Sequence, residues 1–133
     1  MTSDNQRTLI YLASPYTNDS AKIMESRFRT VSNIAARLFK QGYHVFSPIA
    51  HSHQIATALG HQGIGFDTWR QFDLRMLRLC DAFAFCVMAG WETSVGLKAE
   101  FLEAQELELP IYRCSIYGDL SSITDEDSRI LSS

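Results

Sequence analysis

Two carboxylates in this chain stand where aliphatic side chains are expected. Wound as a helix from Ser94 at about 100° per residue, the stretch "GWETSVGLKAEFLEA" turns Glu103 and Glu106 toward a polar side, but sets Glu100 in one stripe with Gly96, Leu97, Ala104 and Leu107. Asp73 repeats the anomaly in "DTWRQFDLRMLRLCD", lying inside the arc of Trp69, Phe72, Met76, Leu77 and Cys80, opposite Arg70, Gln71, Arg75 and Arg78. A carboxylate in an apolar stripe loses hydration when the stripe packs, which costs several kcal/mol unless a partner or a substrate offsets it. A single such acid is often a paired core residue; two on neighbouring helices suggest a shared site in which both are tuned. The bland alternative for each is a structural pairing with an arginine.

The elements that must position these acids follow from the apolar runs. "TLIYLA" (Thr8 to Ala13), "HVFSP" (His44 to Pro48), "AFAFCVM" (Ala82 to Met88) and "PIYRC" (Pro110 to Cys114) are short and bounded by turn residues, and read as strands. Between the first two, Met24, Val31 and Leu38 keep helical spacing and Gly42 supplies a stop. Strands alternating with helices imply a parallel sheet covered on both faces. In "IAHSHQIATALGHQGIGFD", the spacing predicts a short helix over Gln54 to Leu59. The loop carrying Gly60, Gly63 and Gly65 reads equally as a lid or as an irregular connection. Residues 118–133 are polar, and read with 1–7 as a tail that frays or docks weakly.

Ligands bind such sheets at the carboxyl ends of the strands. Three such ends carry usable groups: Ser14, Pro15, Tyr16 and Thr17 after the first strand, Ser47 to His51 after the second, and Trp91 to Ser94 after the third. Trp91, beside a glycine, is the better placed of the two tryptophans to stack on a base, whereas Trp69 reads as core. Gly96, four residues before Glu100, leaves room for a ligand ring. "SPYT" has neither the G-x-G-x-x-G spacing of a dinucleotide loop nor the G-K-[ST] ending of a P-loop.

Composition narrows the rest. A chain of 133 residues with 46% hydrophobic content suits one domain, residues 1–133. A formal net charge of -3 without a basic cluster argues against a nucleic-acid duplex as partner, and for a small molecule or a protein. No apolar stretch approaches the roughly 20 residues that span a bilayer, and "MTSDNQRT" lacks the signal-peptide pattern, so the expectation is a cytoplasmic protein with no membrane contact. Cys80, Cys86 and Cys114 read as buried thiols, and His51 and His53 lack companions at zinc-like spacing, so no metal site is expected.

With these residues in view, the chain resembles the nucleoside 2-deoxyribosyltransferase-like superfamily, and most of all small bacterial and phage domains within it. The resemblance runs from Thr8 to about Cys114, through "IYLASPY", "VFSPIAHSH", Asp73 and "SVGLKAE", the last an S-x-G-x-x-x-E pattern. It implies a Rossmann-like or flavodoxin-like parallel sheet of four to five strands with helices on both faces. It further implies an enzyme that cleaves the N-glycosidic bond of a (deoxy)nucleoside or its 5′-monophosphate, without a cofactor. Glu100 matches the family nucleophile and Asp73 the acid that assists the departing base; Tyr16 lies near the tyrosine some relatives use to orient the nucleophile. Ser94, six residues before Glu100, matches the serine that binds the 5′-phosphate in the 2′-deoxynucleoside 5′-phosphate N-hydrolases, where the transferases carry an acid. "LASPY" is more like the transferases, and Glu92 stands beside Ser94. Relatives assemble as dimers or larger rings, so a homo-oligomer is expected by that analogy, with Ser14, Pro15, Ser47, His51, Trp91, Ser94 and Gly96 lining the substrate site. A base-exchanging transferase and a non-catalytic nucleotide-binding regulator are the rival readings.

Overall fold

The computed structural model describes residues 7–60 and 65–133. Five strands form one sheet: β1 (Leu9–Ala13), β2 (His44–Phe46), β3 (Ala82–Cys86), β4 (Ile111–Cys114) and β5 (Leu120–Ser122). They lie in the order β2-β1-β3-β4-β5, the first four parallel and β5 antiparallel to β4. This is the flavodoxin-like order, whose connections change faces between β1 and β3 and open a crevice at their carboxyl ends.

Alternation along the central strands divides the core in two. Ile10 and Leu12 of β1, with Ala82, Ala84 and Cys86 of β3, meet Val31, Ile34 and Leu38 of α1 (Ala21–Lys40). Tyr11 and Ala13, with Phe83 and Phe85, point the other way. They meet Leu77 of α3 (Phe66–Leu79), Leu97 and Phe101 of α4 (Val95–Glu106), and Leu131 of α5 (Asp125–Ser132). Both faces of β1 and β3 are therefore apolar, which is why their sequences read as continuous hydrophobic runs.

Three expectations are corrected. The second strand stops at Phe46, and Ser47 and Pro48 instead open α2 (Pro48–Leu59): Ser47 Oγ accepts from Ala50 N at 3.1 Å, and proline occupies the first turn, where its missing N–H is harmless. Residues 118–133 are not a loose tail. Thr124 and Asp127 form a reciprocal capping box at the start of α5, Leu131 is fully buried, and the Asp127 carboxylate lies 3.0 Å from Arg113 Nε on β4. Trp69 is only half-buried and belongs to neither core cluster. Of the glycine-rich loop, residues 61–64, including Gly63, lie outside the described residues. No described helix is long and apolar enough to cross a membrane.

Candidate active site

Glu100 projects from the second turn of α4 toward the sheet, and the group that meets it comes from the middle of β1. Tyr11 is fully buried, and its hydroxyl donates to Glu100 Oε2 at 2.6 Å. A tyrosine in the centre of a doubly covered sheet must find a partner for its O–H, and here the partner is the anomalous carboxylate. The ring is wedged between Phe83, stacked on it with centroids 5.9 Å apart, and Phe46, tilted against it at 5.7 Å, so the hydroxyl has little freedom to look elsewhere.

Asp73 enters from α3, near enough for its charge to be felt by Glu100. Its Oδ1 is buried with no hydrogen-bond partner among the described residues. Burial pushes Asp73 up to about 6. Glu100 is pushed up to about 8, above all by burial; the Tyr11 hydrogen bond pulls against that rise, the negative charge of Asp73 adds to it, and the positive charge of Arg70 opposes it. Tyr11 in turn is driven well above its ordinary range, first by burial and then by Glu100. Two like-charged acids in one apolar setting titrate as a coupled pair, and between about 6 and about 8 that pair holds one proton. The structure thus brings the two sequence-predicted acids together without an arginine bonded to either carboxylate among the described residues.

Other expected site residues fare differently. Tyr16 does not touch Glu100; its hydroxyl lies 2.7 Å from His53 Nδ1, because it leaves the sheet in the loop after β1 while Tyr11 sits beneath α4. Tyr11 is the residue that sequence reasoning missed. Trp91 is buried against Phe85, ring centroids 5.3 Å apart, within the core beneath α4, so it offers no free face for a base. Ser94 caps α4 and accepts from Leu97 N at 3.2 Å; Gly96 is exposed in the first turn, with open space where a Cβ would project. Ser14 and Pro15 are buried at the end of β1, and Ser14 Oγ has no hydrogen-bond partner among the described residues. Ser47 is taken up by its capping bond. His51 is exposed and stacks on Phe72, the residue before Asp73, with ring centroids 5.3 Å apart.

The two loops at the crevice are tied together by Arg27 of α1. Its Nη1 donates to the carbonyls of Tyr16 at 3.3 Å and Thr17 at 3.0 Å, while the guanidinium lies flat against Gly90, where an added Cβ would overlap it. Gly90 has φ 95°, a conformation that favours glycine independently.

The cysteines supply no competing nucleophile: Cys80, Cys86 and Cys114 are free and buried, and burial pushes the Cys80 and Cys114 thiols up to about 12. Among the described residues no group of three or more His, Cys, Asp or Glu is arranged to hold a metal ion. A shallow groove of about 470 Å³ lined by Arg7, Phe39 and Lys40 to His44 lies at the opposite, amino-terminal end of β2, away from the acids.

Among solved structures, the chain is similar to a 2-deoxyribosyltransferase from the psychrotolerant bacterium Bacillus psychrosaccharolyticus. The identity is 24% and the TM-score 0.58, over 91% of this chain and 80% of that one. The fold implied by the sequence resemblance is thereby shown. No curated protein matches this chain. A family profile matches residues 8–115, which include Tyr11, Asp73 and Glu100, and the chain belongs to that family, described as Domain of unknown function (DUF1937).

Proposed function

We infer that this protein is an N-glycosyl-cleaving enzyme acting on (deoxy)nucleoside 5′-monophosphates, with Glu100 as nucleophile and Asp73 as acid. The observation that carries this reading is the 2.6 Å bond from Tyr11 to Glu100 beside a second, unpartnered acid. Glu100 attacks C1′ as the C1′–N bond breaks, the departing base takes the proton of Asp73, and a glycosyl ester forms on Glu100. Water then attacks C1′, returns a proton to Asp73 and frees Glu100. Tyr11 holds one carboxylate oxygen and leaves the other to react. Near neutrality the pair holds one proton, more of it on Glu100, raised to about 8, than on Asp73, raised to about 6; attack takes place from the form that carries that proton on Asp73 and leaves Glu100 ionised. The chemistry requires no metal or organic cofactor.

Ser94 supports the monophosphate part of the reading. Its hydroxyl stands at the N-terminus of α4, where backbone amides and the helix dipole favour an anion. Aspartate caps a helix about as well as serine, so Ser94→Asp separates capping from phosphate binding. The variant should keep its melting temperature, lose monophosphate turnover and retain nucleoside turnover; equal activity on both substrates in both proteins would remove Ser94 from the site.

The likeness to a 2-deoxyribosyltransferase favours a second reading, transfer of the sugar to another base. Incubation with one deoxynucleoside and a second free base separates the two, because only transfer yields the exchanged nucleoside.

A further inference from the structure

A second hydrogen-bonded chain lies in the loop after β1, apart from the carboxylate pair. Tyr16 Oη is 2.7 Å from His53 Nδ1 on α2, His53 Nε2 is 2.9 Å from Glu25 Oε1 on α1, and Arg29 Nε donates to Glu25 Oε2 at 3.1 Å. Phe28 fixes the imidazole plane by stacking on it, ring centroids 4.2 Å apart. Arg27 holds the Tyr16 carbonyl, so the loop is gripped at backbone and side chain alike.

The chemistry of these groups sets the direction of every bond. Glu25, held below its ordinary range first by the Arg29 hydrogen bond and then by His53, is ionised and can only accept. Nε2 must therefore carry the imidazole proton. In a neutral histidine that leaves a lone pair on Nδ1, and Tyr16 must donate to it. With His53 neutral, the single proton of Tyr16 is committed inward, and the oxygen of this half-buried residue, in the loop after β1, offers only lone pairs to a ligand.

We propose that Tyr16, oriented by His53 and Glu25, is a specificity-determining residue that accepts a hydrogen bond from a sugar hydroxyl of the substrate. The assignment rests on the nucleoside reading above. An oxygen that offers only lone pairs repels a phosphate oxygen and selects a donor; of the groups on a nucleotide sugar, the hydroxyls are the donors. His53 and Glu25 are positioning residues, which act through Tyr16.

Two variants test this. Tyr16→Phe removes the acceptor. Glu25→Gln keeps every side chain in place but reverses the chain: Arg29 retains the amide oxygen, the amide NH2 faces Nε2, the ring proton moves to Nδ1, and the Tyr16 O–H turns outward as a donor. Titration calorimetry with the four ribonucleoside 5′-monophosphates, the parent nucleosides and their 2′- and 3′-deoxy analogues reads the effect. In the wild-type protein, one deoxy analogue should bind about five- to tenfold more weakly than its parent, the value of one hydrogen bond. That penalty should vanish in Tyr16→Phe. In Glu25→Gln, with its melting temperature unchanged, the outward O–H can donate to the same hydroxyl, so the penalty should persist, while the matching O-methyl analogue, an acceptor without a donor, should bind at least about fivefold more tightly than it does to the wild type. No penalty in the wild type, the same penalty in Tyr16→Phe, or no gain for the O-methyl analogue in Glu25→Gln overturns the proposal. Free base released from the same samples is a separate readout. Hydroxyl-selective binding without base release keeps the Tyr16 assignment and overturns only the cleavage reading.

Discussion

The hydroxyl of Tyr11 lies 2.6 Å from Glu100 Oε2, joining β1 to the one acid of α4 that faces the sheet. Tyr11→Phe preserves the ring packing against Phe46 and Phe83 and deletes only this bond. The variant should fold, and kcat/KM for base release should fall about 10- to 100-fold, corresponding to about 1–3 kcal/mol of lost orientation and charge stabilisation. Because the bond lowers Glu100, its loss should move the alkaline limb of the pH profile upward.

The coupled acids predict a bell-shaped pH dependence. The active form carries the pair's single proton on Asp73 and leaves Glu100 a carboxylate to attack; it is a constant fraction of the one-proton state and so follows the same bell. Below about 6 both acids are protonated and no nucleophile remains; above about 8 both are ionised and no acid remains. Rates of base release measured from pH 4 to 10 should peak near the middle of that window. Asp73→Asn should lose about 10²- to 10⁴-fold in rate, and Glu100→Gln should show no glycosyl-enzyme by mass spectrometry.

Stability should move with pH in the opposite sense to that of a salt-bridged acid. The folded values of Glu100 and Asp73 lie above their ordinary values of 4.5 and 3.8, so the native state binds more protons than the unfolded chain across the interval between. Their contribution is complete below the ordinary values and is lost as pH rises through about 6 for Asp73 and about 8 for Glu100. Thermal melts from pH 5 to 9 should therefore show a falling midpoint, flattened in Glu100→Gln and Asp73→Asn. A wild-type midpoint that climbs through this range would contradict the raised values.

The carboxyl-terminal segment should prove necessary to the fold. Leu131 is fully buried in the cluster that also contains Phe101 beneath α4. Leu131→Ala should cost about 2–5 kcal/mol in urea denaturation. Truncation before Thr124 should cost more, because it also strips the Asp127 carboxylate from Arg113.

What could be read beforehand followed from how each signal is encoded. β1 and β3 announce themselves because both of their faces are covered, and Glu100 and Asp73 because a charge interrupts an apolar stripe. Tyr11 escaped for the same reason that β1 was visible: in "LIYLA" an aromatic ring counts as one more hydrophobic residue. Only the requirement that a buried hydroxyl find a partner distinguishes it from phenylalanine. The start of α2 was hidden because "HVFSP" continues the apolar run to proline, although Ser47 followed by Pro48 is itself a helix-start pair. α5 was concealed by polar composition, since only Ile130 and Leu131 mark its inner face; its capping pair, Thr124 and Asp127, was the available clue. Tyr16 was drawn toward the acids by the family resemblance and by its place after the first strand, which fixes the end of a strand but not the direction of a side chain beyond it.

The contact of Arg27 with Gly90 gives a residue remote from every proposed chemical step a hold over substrate selection. Any side chain larger than hydrogen at Gly90 must displace the guanidinium, and a displaced guanidinium loosens its hold on the Tyr16 carbonyl. Mutational scans of this domain would then find Gly90 intolerant in a distinctive way: its variants would resemble loss of Tyr16, though the two belong to different loops.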